Sequence, residues 1–259
     1  MENILHFAFS TLNFFVMHFG IIVFPGTNCE RDCQHVVTQV LGHTADLVWH
    51  EQTDLSAFDA LIVPGGFAHG DYLRTGAIAQ FSPVMDSVAE FAHLGKPVLG
   101  ICNGFQVLCE AGLLPGVLRR NLSSHFTCRD AYLRVENNDN RFLHLCNKGD
   151  VLKMPIRHGE GNYYADGDTL AAMAANGQIL LRYCDANGFV TPEANPNGSA
   201  NSIAGVMNEA GTVFGLMPHP EAATESFLGS TDGLLLFQAL LAELAPTRPQ
   251  TADHGLLGV

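Results

Sequence analysis

At 259 residues, 47% hydrophobic and 15% charged, the chain is long enough to bury a substantial core and too apolar to be disordered. Its formal charge of −13 argues against nucleic acid or an anionic membrane surface as a partner. Seven cysteines form no Cys-x-x-Cys pair and no zinc-type spacing, and the count is odd, so a reduced, cytoplasmic protein is expected.

The stretch from Met1 to Val16 is rich in Phe and Leu and carries no Lys or Arg. It lacks the basic start and small-residue cleavage site of a secretory signal, and it is too short for a membrane span. We expect residues 1–16 to be an extension, with Met17 standing immediately before the first strand. His18 to Phe24 then reads as a buried strand turned by Pro25-Gly26, with Asn28 predicted to cap a helix. Ala45 to Trp49 and Ala60 to Val63 are the next strands, the latter ending in Pro64-Gly65-Gly66. A helix carrying Phe81, Met85, Val88 and Phe91 inward stops at Gly95, and Pro97 to Ile101 is a fourth strand. This alternation predicts an α/β fold of three layers, a mostly parallel central sheet with helices on both faces.

From about Asn121 the pattern is richer in β. Tyr132–Val135, Val151–Ile156, Gln178–Cys184, Ile203–Met207 and Thr212–Leu216 read as strands, partly antiparallel. Leu234, Phe237, Leu240, Leu241 and Leu244 mark a closing amphipathic helix, with Ser230 or Thr231 as its cap. The chain reads as one domain over 17–245, followed by a loose tail at 246–259.

The chemistry centres on Val98-Leu99-Gly100-Ile101-Cys102-Asn103-Gly104-Phe105-Gln106. An apolar strand ends on a cysteine, with a glycine two residues to either side. That is the pattern of a nucleophile elbow, where strand and helix backbones nearly touch. The helix would begin just after Cys102, so its positive end lies beside the sulfur. A thiol nucleophile needs a base, and the base needs an orienting acceptor. Met217-Pro218-His219-Pro220-Glu221 supplies both, and two residues apart in an extended segment His219 and Glu221 would project to one side. Backbone N–H groups at Gly66 and Asn103 are candidates for holding an oxyanion, and Gln106, one turn beyond Cys102, can face the same pocket. His158, in His158-Gly159-Glu160-Gly161, is a weaker pocket candidate. No phosphate loop, dinucleotide fingerprint or His-Glu-x-x-His zinc motif is present, so no nucleotide, cofactor or catalytic metal is expected in this chain.

Together, Gly100, Cys102, Gly104, Gln106, His219 and Glu221 resemble the motifs of the class I glutamine amidotransferases. Within them, Val23–Cys29, Gly70–Arg74, His158–Gly161, Pro192–Ser199 and Gly229–Gly233 resemble the glutaminase subunits of phosphoribosylformylglycinamidine synthases, a likeness running from about residue 18 to 244. The resemblance implies a flavodoxin-like core and a triad of Cys102, His219 and Glu221. It implies hydrolysis of glutamine through a thioester, with ammonia passed to a large synthetase subunit that uses ATP and Mg²⁺, and a small bridging subunit alongside. Ala222, His125 and Arg157 depart from that pattern without touching the triad. Two alternatives stay open at this point: a subunit serving a different synthetase, and a non-catalytic subunit that only binds a partner.

Overall fold

The structure, a computed structural model, describes residues 16–244. Apart from Val16, the predicted extension lies outside that range, and so does the predicted tail. The N-terminal half runs β1 (His18–Val23), α1 (Glu30–His35), β2 (Thr44–Trp49), β3 (Ala60–Val63), α2 (Pro83–His93), β4 (Val98–Ile101) and α3 (Asn103–Glu110). After it come β5 (Val117–Arg119), β6 (Thr127–Val135), β7 (Val151–His158), β8 (Asn162–Tyr164), α4 (Gly167–Ala175), β9 (Ile179–Cys184), β10 (Ile203–Met207), β11 (Val213–Leu216) and α5 (Leu234–Leu244).

Nine strands form one sheet in the order β2-β1-β3-β4-β11-β10-β9-β6-β7, and β5 pairs with β8 apart from it. The first five in that order run parallel, and the pairs from β11 to β7 are antiparallel. All four residues of β3, of β4 and of β11 are buried, which is why these strands read as unbroken apolar runs. In β7 buried residues alternate with half-buried ones, as expected of an edge strand with one face on the core. The chain moves from β1 towards one edge through α1, and from β3 towards the other through α2. Right-handed crossovers therefore place the two helices on opposite faces, and open a crevice where the direction reverses, at the carboxyl ends of β1 and β3.

Contrary to expectation, Phe81 lies before α2 and is exposed, not turned inward on that helix. Asn28 does not cap the first helix: the N-cap is Cys29, with no side-chain cap bond. That helix then widens into a π turn over Val36–Val40, closed by Leu41 N–H donating to Val36 O at 3.0 Å. α4 has no counterpart among the elements expected from the sequence. Only Met173 of that helix is buried, so it has no apolar stripe to betray it. It rests on its alanines and on the Asp166 carboxylate, which accepts from Thr169 N–H at 2.9 Å. Among the described residues no helix is long and apolar enough to cross a membrane.

Candidate active site

The end of β4 holds Cys102 at φ 51°, ψ −106°, a left-handed conformation that costs a non-glycine residue energy. The flanking glycines explain how the turn closes. A Cβ on Gly104 would overlap the Val63 carbonyl oxygen of β3, and a Cβ on Gly100 would lie 3.0 Å from the Gly104 carbonyl carbon. Cys102 N–H donates to Leu216 O at 2.8 Å, so the elbow is tied to the end of the neighbouring strand β11.

That strand leads to the candidate base. His219 N–H donates to Pro155 O at 2.9 Å, which fixes the backbone just past β11. Glu221 then falls in a 3₁₀ turn over Pro220–Ala222 rather than in an extended segment, and the turn, not strand alternation, swings its carboxylate back. His219 Nδ1 and Glu221 Oε1 are 2.6 Å apart, with side chains 3% and 0% exposed. Burial pulls the imidazole pKa down, but the Glu221 carboxylate and then Cys102 pull it up more strongly, and the net direction is well above the usual histidine range. With Nδ1 turned to the carboxylate, Nε2 is buried and unpartnered among the described residues. A Cβ placed on Gly65 would stand 2.9 Å from His219 Cε1, 3.2 Å from Cys29 Sγ and 3.4 Å from Cys102 Cβ, so all three side chains crowd the bare face of that glycine. Cys102 Sγ itself lies 3.7 Å from the Arg157 carbonyl oxygen.

Gly66 has φ 152°, and a Cβ there would lie 2.6 Å from Asn28 N, so only glycine fits. Neither Gly66 N–H nor Asn103 N–H donates a hydrogen bond among the described residues, and both flank the elbow. The side chains of Asn103 and Gln106 are occupied as braces. Asn103 Oδ1 accepts from Ala68 N–H at 2.9 Å, Asn103 Nδ2 donates to Gln106 Oε1 at 3.0 Å, and Gln106 Nε2 donates to Glu160 O at 2.6 Å. Gln106 still borders the cleft in front of Cys102, a space of about 190 Å³.

A model of the CobB/CobQ-like glutamine amidotransferase domain matches residues 17–232. The chain is 57% identical over 223 residues to the phosphoribosylformylglycinamidine synthase subunit PurQ of Salinibacter ruber, covering 86% of this chain and 95% of that one. It is 56% identical over 228 residues to the protein of the same name from Symbiobacterium thermophilum, covering 88% and 97%. The chain belongs to the PurQ family of glutamine amidotransferases. A chain in the structure of PurLQS from Thermotoga maritima is similar in fold, with a TM-score of 0.79 at 40% identity, covering 89% of this chain and 100% of that one.

The amidotransferase cleft contains two acidic residues that sequence reasoning did not assign. Asp71 and Glu160 both border it, and burial together with the Glu160 charge raises the Asp71 carboxyl to about 6. Glu160 accepts from the Thr75 hydroxyl. The available signal was glycine on one side of Asp71 and on both sides of Glu160, which marks loops where backbone and ligand come close. Cys29 was also unassigned, and its Sγ lies 3.9 Å from His219 Nδ1.

His158 is 3% exposed and borders the same cleft. Asn121 Nδ2 donates to His158 O and His125 O, so its Oδ1 is the acceptor for Gly161 N–H and for His158 Nδ1, 3.1 Å away. His158 is therefore neutral with its proton on Nδ1. Burial, then the nearby His219, lowers its pKa to about 4. The unfolded chain takes up this proton first as pH falls below about 6.5, so stability is lost between about 6.5 and 4. Between pH 7 and 5 the amidotransferase should lose about 2 kcal/mol more stability than its His158→Asn variant, read from urea unfolding at the two pH values. Equal losses would show that His158 does not set the acid limb.

Proposed function

We propose that this chain is the glutaminase subunit of a phosphoribosylformylglycinamidine synthase. One observation carries the reading: a strained cysteine at a strand-to-helix elbow stands beside a buried His219–Glu221 pair, in a chain more than half identical to proteins of that name.

In this reading Cys102 first gives its proton to His219 Nε2, which the raised imidazole pKa favours, and the thiolate then attacks the side-chain amide carbon of glutamine. Gly66 N–H and Asn103 N–H receive the developing oxyanion. The imidazolium, steadied by Glu221, gives its proton to the departing nitrogen, so ammonia leaves and a γ-glutamyl thioester remains. Water then attacks the thioester, with His219 taking one proton and returning it to the sulfur as glutamate departs. Overall, glutamine and water give glutamate and ammonia. The negative charge of Asp71 and Glu160 in the cleft suits the α-ammonium of an amino acid.

The chain itself needs no cofactor in this scheme. ATP and Mg²⁺ belong to a large synthetase subunit that converts formylglycinamide ribonucleotide to the amidine with the ammonia, and a small bridging subunit joins the two. The three-part name PurLQS of the Thermotoga maritima assembly supports such partners. Seven unpaired thiols favour a reducing cytoplasm. The test is glutamate release by the purified chain, alone and with the large subunit, ATP and formylglycinamide ribonucleotide. Release coupled to amidine formation is the expected result. Partner binding without release in any setting would leave a structural subunit instead.

A further inference from the structure

Cys29 has no part in the mechanism above, yet its thiol lies against the imidazole of His219, on the Nδ1 side of the ring. Cys29 Sγ is 3.9 Å from His219 Nδ1, and Glu221 Oε1 is 2.6 Å from the same nitrogen. One donor atom from each of the three residues lies within 4.8 Å of the other two, and all three residues are buried. The second carboxylate oxygen, Glu221 Oε2, is buried with no hydrogen-bond partner. A fully buried carboxylate with a bare oxygen is costly, and it calls for a positive partner.

We propose that Cys29, His219 and Glu221 form a zinc site that silences the amidotransferase when it is filled. Thiolate, imidazole and carboxylate are the donors that Zn²⁺ accepts, whereas magnesium and calcium want six or more oxygens. At zinc–ligand lengths of about 2.0–2.3 Å, tetrahedral neighbours stand about 3.5 Å apart. The sulfur–nitrogen edge of 3.9 Å is close to that spacing. The nitrogen–oxygen edge must open by about 1 Å, a rotation that brings the bare Oε2 towards the ion. A thiolate and a carboxylate balance the two positive charges, so no net charge is left buried. No zinc motif in the sequence announces this site, because its ligands lie 190 residues apart and meet only in the fold.

The consequence for activity rests on the function proposed above; the binding does not. The ion takes the place of the Nδ1 proton. Cys29 releases its proton to solvent, and the imidazole keeps a single proton on Nε2. With zinc on Nδ1 the imidazole can no longer become the imidazolium that takes the Cys102 proton and hands it to the leaving nitrogen, so hydrolysis of glutamine stops.

The experiment uses the full chain and Zn²⁺ itself, titrated against a competing chelator, with zinc-edge X-ray absorption on the loaded protein. One sulfur at about 2.3 Å among nitrogen and oxygen neighbours near 2.0 Å is expected. Glutamate release should fall as the site fills and recover with chelator. Cys29→Ala should keep glutamine hydrolysis, bind zinc about 100-fold more weakly and lose the sulfur neighbour. Cys29→Ser, which keeps the volume, serves if the alanine variant does not fold. Unchanged zinc affinity in both variants, or a sulfur neighbour that vanishes only in Cys102→Ala, overturns the proposal. A chain that binds zinc through Cys29 but never hydrolyses glutamine would overturn the function and leave the site standing.

Discussion

Replacing Cys102 with alanine should reduce glutamate release by about 10⁴-fold or more, because members of a nucleophile–base–orienter unit fail together. The fold should survive, since the lost atom is a single sulfur and the elbow is held by Cys102 N–H on Leu216 O. Cys102→Gly should be equally inactive and, in addition, more stable than the native chain. The native residue sits at φ 51°, ψ −106°, and such strain costs about 1–3 kcal/mol in a residue with a Cβ. Glycine relieves it, less the extra freedom gained by the unfolded chain, for a net gain of about 1 kcal/mol. Activity assays and urea midpoints on both variants decide this. A Cys102→Gly protein less stable than Cys102→Ala would mean that the elbow stores no strain.

The second large effect is structural. A methyl group on Gly104 would occupy the space of the Val63 carbonyl oxygen, where α3 meets β3. β3 cannot yield, because it is hydrogen-bonded to β1 on one side and β4 on the other, so the strain falls on α3. Gly104→Ala should therefore lose about 3 kcal/mol and most of the activity, as α3 shifts and carries Asn103 N–H out of place. Gly167→Ala is the control. It lies at the start of α4 with nothing within 4 Å of a built Cβ, and it should change stability by no more than about 0.5 kcal/mol. Equal effects at the two positions would sink the argument from close approach.

The elements that place the site were legible in the sequence because burial left a simple record. β3, β4 and β11 are buried on both faces, so their residues are apolar without interruption and their ends are marked by Gly65, Cys102 and His219. Gly100 and Gly104 were legible for the same reason that they are needed, since nothing else fits between strand and helix. The rest was hidden in contacts between distant segments. Gln106 borders the cleft as expected, but its side chain and that of Asn103 also brace the loops at Glu160 and Ala68. No local pattern tells a brace from a ligand. The His219–Glu221 pair was found from its spacing, although a 3₁₀ turn rather than an extended segment brings the two side chains together. α4 escaped because a helix that buries only Met173 has no periodicity to read.

β11 is among the last strands made, yet it lies near the middle of the sheet, pairing with β4 on one side and β10 on the other. It sets Leu216 beside Ile101, one residue before the nucleophile. During synthesis Cys102 therefore exists long before His219, and β4 waits with an open edge. In the proposed mechanism a chain cut short before residue 213 lacks both β11 and His219, and should release no ammonia. The strand that fills the gap in the sheet is thus the one that leads to His219, so on the proposed mechanism half-made copies of the protein should leave glutamine untouched.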